Sequence, residues 1–176
     1  MRVLITGSQG SGKTTQAELL AKHLGIPMIG MGDILREKVK EKTKEGKEIN
    51  VSLESGQMVD DNIVADVVRA RIKSKDCENG FIIDGYPRSL DQLRLFDPLF
   101  DKVFYLEVSD EEVKDRLIKR GRDDDTPKLI TERLRLYHYL TEPILNHFRL
   151  SNKLVVIDGS GSIEEIQEKL RSEASK

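Results

Sequence analysis

Tryptophan is absent from this 176-residue chain, and cysteine occurs once, at Cys77. A lone thiol closes no internal disulfide and supplies no cysteine-rich zinc site, so a reducing compartment is expected. No apolar run approaches the roughly 18 residues that a membrane span needs. Ahead of Gly7 stand a single Arg2 and only four apolar residues, too few for a signal peptide. An excess of one charge is also missing. The 29 Lys and Arg nearly balance the 31 Asp and Glu, leaving a net charge of −2. No global basic field therefore draws the chain to nucleic acid or to an anionic membrane. These absences predict a soluble, cytoplasmic protein that partners neither. Internal repeats and low-complexity linkers are lacking as well. What is present, 38% apolar and 34% charged residues, suits one folded domain with a sizeable core.

Short apolar runs at Val3–Thr6, Phe81–Asp84, Lys102–Val108 and Leu154–Asp158 predict buried strands, with a weaker one at Ile26–Ile29. Helical spacing of apolar residues marks Lys13–His23, Asp60–Lys73, Glu111–Lys119 and Lys128–Leu150, the last expected to bend at Pro143. Ser162–Ser172 closes the chain, with Ser162 as N-cap and Glu165 three residues on. Strands that are apolar throughout and alternate with helices predict a parallel sheet of about five strands, covered on both faces and doubly wound. In such α/β sheets ligands sit beyond the carboxyl ends of the strands. Gly7–Thr15, Asp84–Arg88, Ser109–Asp110 and Asp158–Gly161 all fall there. Two stretches stand outside the rhythm. Gly30–Val59 reads as a polar helical insertion with a break near Gly46 and Gly56, and Arg120–Thr126 as a short charged loop. Such excursions from a scaffold are frequently lids and binding flaps.

Gly7-Ser-Gln-Gly10-Ser11-Gly12-Lys13-Thr14 fits the phosphate-loop pattern G-x-x-x-x-G-K-[ST] in full. Glycines let successive N–H groups turn inward onto phosphate oxygens, and the helix that follows adds its positive end. Lys13 supplies a charge for the outer phosphates, and the Thr14 hydroxyl is placed to approach Mg²⁺. The loop predicts a bound triphosphate without naming a reaction. Asp158-Gly-Ser-Gly161 matches the D-x-x-G of GTPases, but Asn152-Lys153-Leu154-Val155 lacks the aspartate that reads guanine. A turn leading into a helix accounts for that Asp-Gly.

The second informative stretch is Gly80–Gln92, GFIIDGYPRSLDQ. An apolar strand ends in Asp84, placed to orient waters around Mg²⁺, and Gly85 and Pro87 turn the chain so that Arg88 can clamp a phosphate. D-G-[FY]-P-R with Gln92 beyond it resembles the monophosphate-binding motif of adenylate kinases. Gly32-Asp33-Ile34-Leu35-Arg36 resembles that family's G-D-x-L-R, and Gly56-Gln57-Met58-Val59-x-Asp61 its G-x-x-V-x-D. Arg120-Gly-Arg122-x-Asp124-Asp125, with Arg133 and Leu134 further on, resembles its lid. The resemblance runs in order through nearly the whole chain.

It implies a P-loop three-layer sandwich: core 1–29, 60–119 and 134–176, monophosphate-binding insertion 30–59, short lid 120–133. It implies reversible, Mg²⁺-dependent transfer of the terminal phosphoryl group of ATP to AMP, giving two ADP. Carried over by position, Gly10, Ser11, Gly12, Lys13, Thr14 and Thr15 would hold ATP phosphates. Arg116, Arg120 and Gly161 would line its adenine and ribose. Arg36 and Arg88 would grip the AMP phosphate, and Gln92 would read the adenine edge. Met31, Gln57, Met58, Val59, Gly85, Tyr86 and Pro87 would flank AMP. Arg122 and Arg133 would close over both phosphate chains and join Lys13 and Arg88 in catalysis. Asp33, Asp84, Asp124 and Asp125 would support the cations. No nucleophile or general base is required, since phosphoryl transfer depends on positioning and charge.

Two departures bear on specificity. Where the family usually has threonine or serine, this chain has Met31, which opens a related nucleoside monophosphate kinase with a broader or different base preference, UMP or CMP, as an alternative. Gln92 argues for adenine, because uridylate/cytidylate kinases usually carry asparagine there. The short lid lacks the four metal-binding positions of the long bacterial form, so no structural zinc is expected. The run Asp123–Asp125 leaves metal binding open, and the generic loop leaves open a nucleotide-binding module without turnover. Oligomeric state is open between a monomer and a small homo-oligomer.

Overall fold

In the computed structural model, which describes residues 1–122 and 125–176, strand β1 (Arg2–Thr6) sends alternate side chains to opposite faces. Val3 and Ile5 enter one apolar cluster and Leu4 another. That period of two, with both faces apolar, forces a layer of helices on each side. Four more strands complete the sheet: β2 (Met28–Gly30), β3 (Phe81–Asp84), β4 (Lys102–Glu107) and β5 (Leu154–Asp158). All neighbours pair in parallel, in the order β2-β3-β1-β4-β5. The expected strands are present. The weakest of them shifts to Met28–Gly30, where it pairs Ile29 with Ile83.

Helix α1 (Lys13–Leu24) and helix α9 (Ile163–Ala174) bury Leu20, Ala21, Ile166 and Leu170 against Ile5, Ile82 and Phe104. Helix α4 (Asp61–Arg71) and helix α8 (Glu142–Leu150) cover the other face with Val64, Val68, Ile144 and Phe148. Each Leu, Ile, Val or Phe side chain among these contributes roughly 1.5–3 kcal/mol when fully buried. Ser162 caps α9 in a reciprocal box with Glu165, as the sequence predicts. The chain leaves β1 toward β2 and β3 toward β4, in opposite directions across the sheet. A crevice therefore opens above the carboxyl ends of β1 and β3.

The insertion holds α2 (Met31–Lys40) and α3 (Lys44–Ser55). The break expected near Gly46 lies instead at residues 41–43, where Thr43 caps α3 by accepting from the Gly46 N–H at 3.0 Å. Gly46 is a packing residue: a Cβ there would stand 2.6 Å from the Lys38 carbonyl oxygen. Gly56 does end α3, in the left-handed conformation. The remaining helices are α5 (Leu90–Leu95), α6 (Asp110–Arg120) and α7 (Pro127–Leu136). The expected long helix over 128–150 is two, α7 and α8, joined by a π-helical turn at Tyr137–Thr141 just before Pro143. Proline lacks an N–H and crowds the carbonyl four residues back, so the wider turn relieves the clash. Val113 and Leu117 of α6 meet Ile130 and Leu134 of α7 in a small cluster separate from the two main ones.

At the π turn His138 meets Asp110 at the start of α6 (3.0 Å) and Glu142 at the start of α8 (3.2 Å). The Asp110 carboxylate, opposed by partial burial and aided by Glu142, raises the imidazole above its ordinary value of 6.5.

Two predictions follow from this packing. Ala for Gly normally favours a helix by up to about 1 kcal/mol, whereas Gly46→Ala should destabilise by about 1–3 kcal/mol in urea unfolding, because the methyl overpacks α2. A raised histidine stabilises the fold fully below about pH 6.5. That share fades as pH climbs through the raised value. His138→Gln should flatten the pH dependence of stability in this window. The change is small, since the pair is half exposed.

Candidate active site

The phosphate loop bridges β1 and α1. Gly10 has φ 90°, and a Cβ there would press to 2.9 Å from Leu117 of α6, so only glycine fits. Gly12, at φ 88°, caps α1 in the left-handed conformation with open space before it. Lys13 opens α1, half-buried, and donates to the Ser8 carbonyl at 3.2 Å. Thr14 and Thr15 follow, both exposed, and Ser11 is fully buried. The Thr14 hydroxyl donates to Asp84 Oδ2 at 2.5 Å across the crevice. The second carboxylate oxygen of Asp84 is buried and, among the described residues, meets no hydrogen-bond partner; nor does Ser11 Oγ. A buried acceptor without a donor is costly. A hydroxyl and an unsatisfied carboxylate beside a phosphate nest form an oxygen donor set that fits hydrated Mg²⁺ carried by a nucleotide.

Beyond Asp84, Gly85 has φ 92° and the Tyr86–Pro87 bond is cis. The Tyr86 hydroxyl lies 2.8 Å and 2.6 Å from the carbonyls of Gln92 and Phe96, and its ring is fully buried. Tyr86 and Pro87 thus anchor the turn from within the core and offer the cleft only backbone. Arg88 is presented at the mouth of the turn, with Nε donating to the Gly85 carbonyl at 3.1 Å. It keeps an open face to solvent yet is surrounded by protein, as at the floor of a cleft. Desolvation lowers the pKa of Arg88, Asp84 opposes, and the cations Arg133 and Arg36 lower it further. Lys13 is lowered likewise by burial, with Asp84 opposing and Arg88 and Arg120 adding to the fall. Arg36, Arg120 and Arg133, from three different helices, thus each act on Lys13 or on Arg88 in one crevice.

Arg36 pairs with Asp33 at 2.5 Å on the exposed face of α2. Its guanidinium lies against Gly32, where a Cβ would come within 3.3 Å. Met31 is 1% exposed and packs in the core. A Cβ on Gly85 would stand 3.4 Å from the Cβ of Met31, so Met31 packs directly against the Gly85 turn. Gln57 is exposed, Met58 half-buried and Val59 in the core. Gln92, on α5, is also buried. Its amide accepts from the Arg88 N–H at 2.7 Å and donates to Asp61 at 2.8 Å.

At the end of α6, Arg120 forks onto Asp125 at 2.8 Å and 2.7 Å, and the Arg122 N–H donates to the same carboxylate at 3.2 Å. Those contacts, Arg120 foremost, hold Asp125 below the usual carboxylate range. Arg133 approaches it to 4.0 Å. Arg122 is exposed at the tip, and Asp124, expected to steady the lid arginines, lies outside the described residues, as does Asp123. Arg116 bonds Glu112 at 2.5 Å, the Gly159 carbonyl at 2.9 Å and the Ser11 carbonyl at 3.4 Å. It welds the phosphate loop to the turn after β5, where Gly161 is exposed. Among the described residues no group of three or more His, Cys, Asp or Glu is placed to hold a metal ion directly.

Sequence reasoning missed Gln9. With its amide turned to satisfy its neighbours, the Gln9 oxygen accepts from Arg120 and Arg133, both at 3.2 Å. It ties the phosphate loop to both α6 and α7. Its position is a degenerate one in the loop pattern, so no sequence signal marks it.

Comparison with known proteins agrees with this geometry. A family model described as adenylate kinase matches residues 5–153. The chain is 40% identical to an adenylate kinase of Bifidobacterium longum, covering 98% of each chain. It is 38% identical to adenylate kinase 1 of a Nostoc species, covering 97% of each. A third relative, an adenylate kinase of Chelativorans, is 36% identical over the full length of both chains. Sequence motifs, parallel five-stranded sheet and full-length similarity agree: the chain belongs to the adenylate kinase family.

Proposed function

We propose that this chain transfers the terminal phosphoryl group of ATP to AMP, reversibly, giving two ADP, with Mg²⁺ accompanying the triphosphate. The observation that carries the reading is Asp84, which accepts from Thr14 of the phosphate loop at 2.5 Å at the end of the strand that leads into the Arg88 turn, and to whose charge both Lys13 and Arg88 respond. The ATP phosphates would lie in the nest of Gly10–Thr15, with Lys13 leaving Ser8 to meet the outer ones. Arg120 and Gly161 would flank the nucleoside of ATP, with Arg116 holding that wall in place. Arg36 and Arg88 would hold the AMP phosphate in line. Met58 and the backbone of Gly85–Pro87 would flank the monophosphate, and Gln92 would meet its base. Arg122 and Arg133 would neutralise the charge that spreads over the moving group. Mg²⁺, held by the Thr14 hydroxyl and by water on Asp84, would offset phosphate charge while bound.

On this reading 30–59 is the monophosphate-binding unit, 120–133 the lid, and the rest the core. A Cβ on Gly56 would lie 3.3 Å from Leu129 on α7, so the two covers already touch. Such closure excludes water that would otherwise take the phosphoryl group. All the proposed groups come from one chain, which suits a monomer or a small homo-oligomer. Among the described residues no helix is long and apolar enough to cross a membrane. We read the protein as cytoplasmic, without nucleic-acid or membrane partners.

Steady-state assays with ATP as donor test the assignment. AMP should be phosphorylated; inert AMP beside reactive UMP or CMP would overturn the acceptor. Lys13→Met and Arg88→Ala should each lower kcat by roughly 100-fold or more, the scale of losing one charge-stabilising donor. Arg36→Ala should chiefly raise KM for AMP, by roughly tenfold, with kcat largely kept.

A further inference from the structure

The buried amide of Gln92 has no freedom of direction. Its nitrogen faces Asp61 Oδ1 at 2.8 Å, a partner that accepts, and its oxygen faces the Arg88 N–H at 2.7 Å, a partner that donates. Turning the amide over would set oxygen against oxygen and N–H against N–H. Losing one hydrogen bond to a charged group is worth about ten- to a hundredfold in an equilibrium, so the reversed form is scarcely populated. Asp61 is itself fixed. It occupies the first turn of α4, where the helix N-terminus favours negative charge, and its other oxygen lies 3.5 Å from Ser89 Oγ. Ser89 in turn caps α5, the helix that carries Gln92.

An amide has two donor and two acceptor positions. Asp61 and Arg88 each use one, leaving an N–H on the nitrogen and a lone pair on the oxygen. The polarity of what a base meets here is therefore set by its neighbours. Adenine carries a donating amino group at ring position 6, whereas guanine and hypoxanthine carry an accepting carbonyl there. A free glutamine could serve either by turning over; this one cannot.

We propose that Asp61 is a positioning residue that determines base specificity, by locking the Gln92 amide in the one polarity that accepts a 6-aminopurine and rejects a 6-oxopurine. The inference rests on the reading that Gln92 meets the acceptor base. The discrimination comes from a carboxylate acting through another side chain, while Met31 supplies an apolar contact behind the Gly85 turn.

The test compares AMP with IMP, which differ in the 6-substituent and the adjoining N1 proton, at saturating ATP. The unaltered protein should favour AMP over IMP in kcat/KM by roughly 100-fold or more; equal use would overturn the proposal without any variant. Asp61→Asn keeps the shape but can donate as well as accept, so the AMP-to-IMP ratio should fall by roughly tenfold, with KM for ATP unchanged. Asp61→Ser should move it the same way. An unaltered ratio in either folded variant, judged by its retained KM for ATP, would overturn the lock. Gln92→Ala separates the two layers. If it lowers the ratio while the Asp61 variants do not, the lock is wrong and the base contact stands. If it leaves the ratio unchanged, the base contact falls and the lock with it.

Discussion

One buried carboxylate holds the cleft together. Asp84 ends β3 at the crevice between the two halves of the sheet, and it is the anion to which both Lys13 and Arg88 respond. Like-charged groups brought together from separate elements repel one another unless a counter-charge or a ligand intervenes. Asp84 accepts from Thr14 with one oxygen and leaves the other without a partner among the described residues. The protein thus folds with a positive excess over a partly satisfied acid. Its binding energy for polyanions lies in that imbalance, and the sheet keeps the groups from relaxing it.

The scaffold that enforces the imbalance is rigid where the chemistry needs a fixed distance. β1 and β3 are adjacent and in register, Ile5 opposite Asp84, so loop and turn rise side by side from paired strands. The rest of the cleft is packed differently. The insertion sends Met31, Leu35, Ile49 and Val59 into one of the two main clusters, whereas α6 and α7 meet in a small cluster of their own. The Arg36–Asp33 pair on α2 is exposed, and pairs of this kind contribute little to stability and exchange readily for ligand contacts. The Arg120–Asp125 pair has its carboxylate fully buried and ties α6 to the residues that lead into α7.

Much of this was legible in the chain. The five strands, the phosphate loop, the Asp84–Arg88 turn and the capping box at Ser162 follow from local patterns that the structure keeps. The misreadings share a cause. Gly46 looks like a helix breaker, but the close approach of Lys38 decides its use, and that approach is tertiary. The π turn before Pro143 is the exception, a local answer to the missing N–H and the crowding of that proline. Tyr86 sits within a binding motif yet turns its ring to the core, because a strand-end residue's facing depends on the sheet. Gln9 could not be read at all: its value comes from Arg120 and Arg133, more than a hundred residues away in sequence.

The small cluster of Val113, Leu117, Ile130 and Leu134 does more than join two helices. Gly10 approaches Leu117, so the phosphate loop is seated on the same apolar seam that joins α6 to α7. A tilt of α7 on α6 would therefore be felt at that seat through hydrocarbon contact rather than through charge, and contact of that kind is not screened by salt.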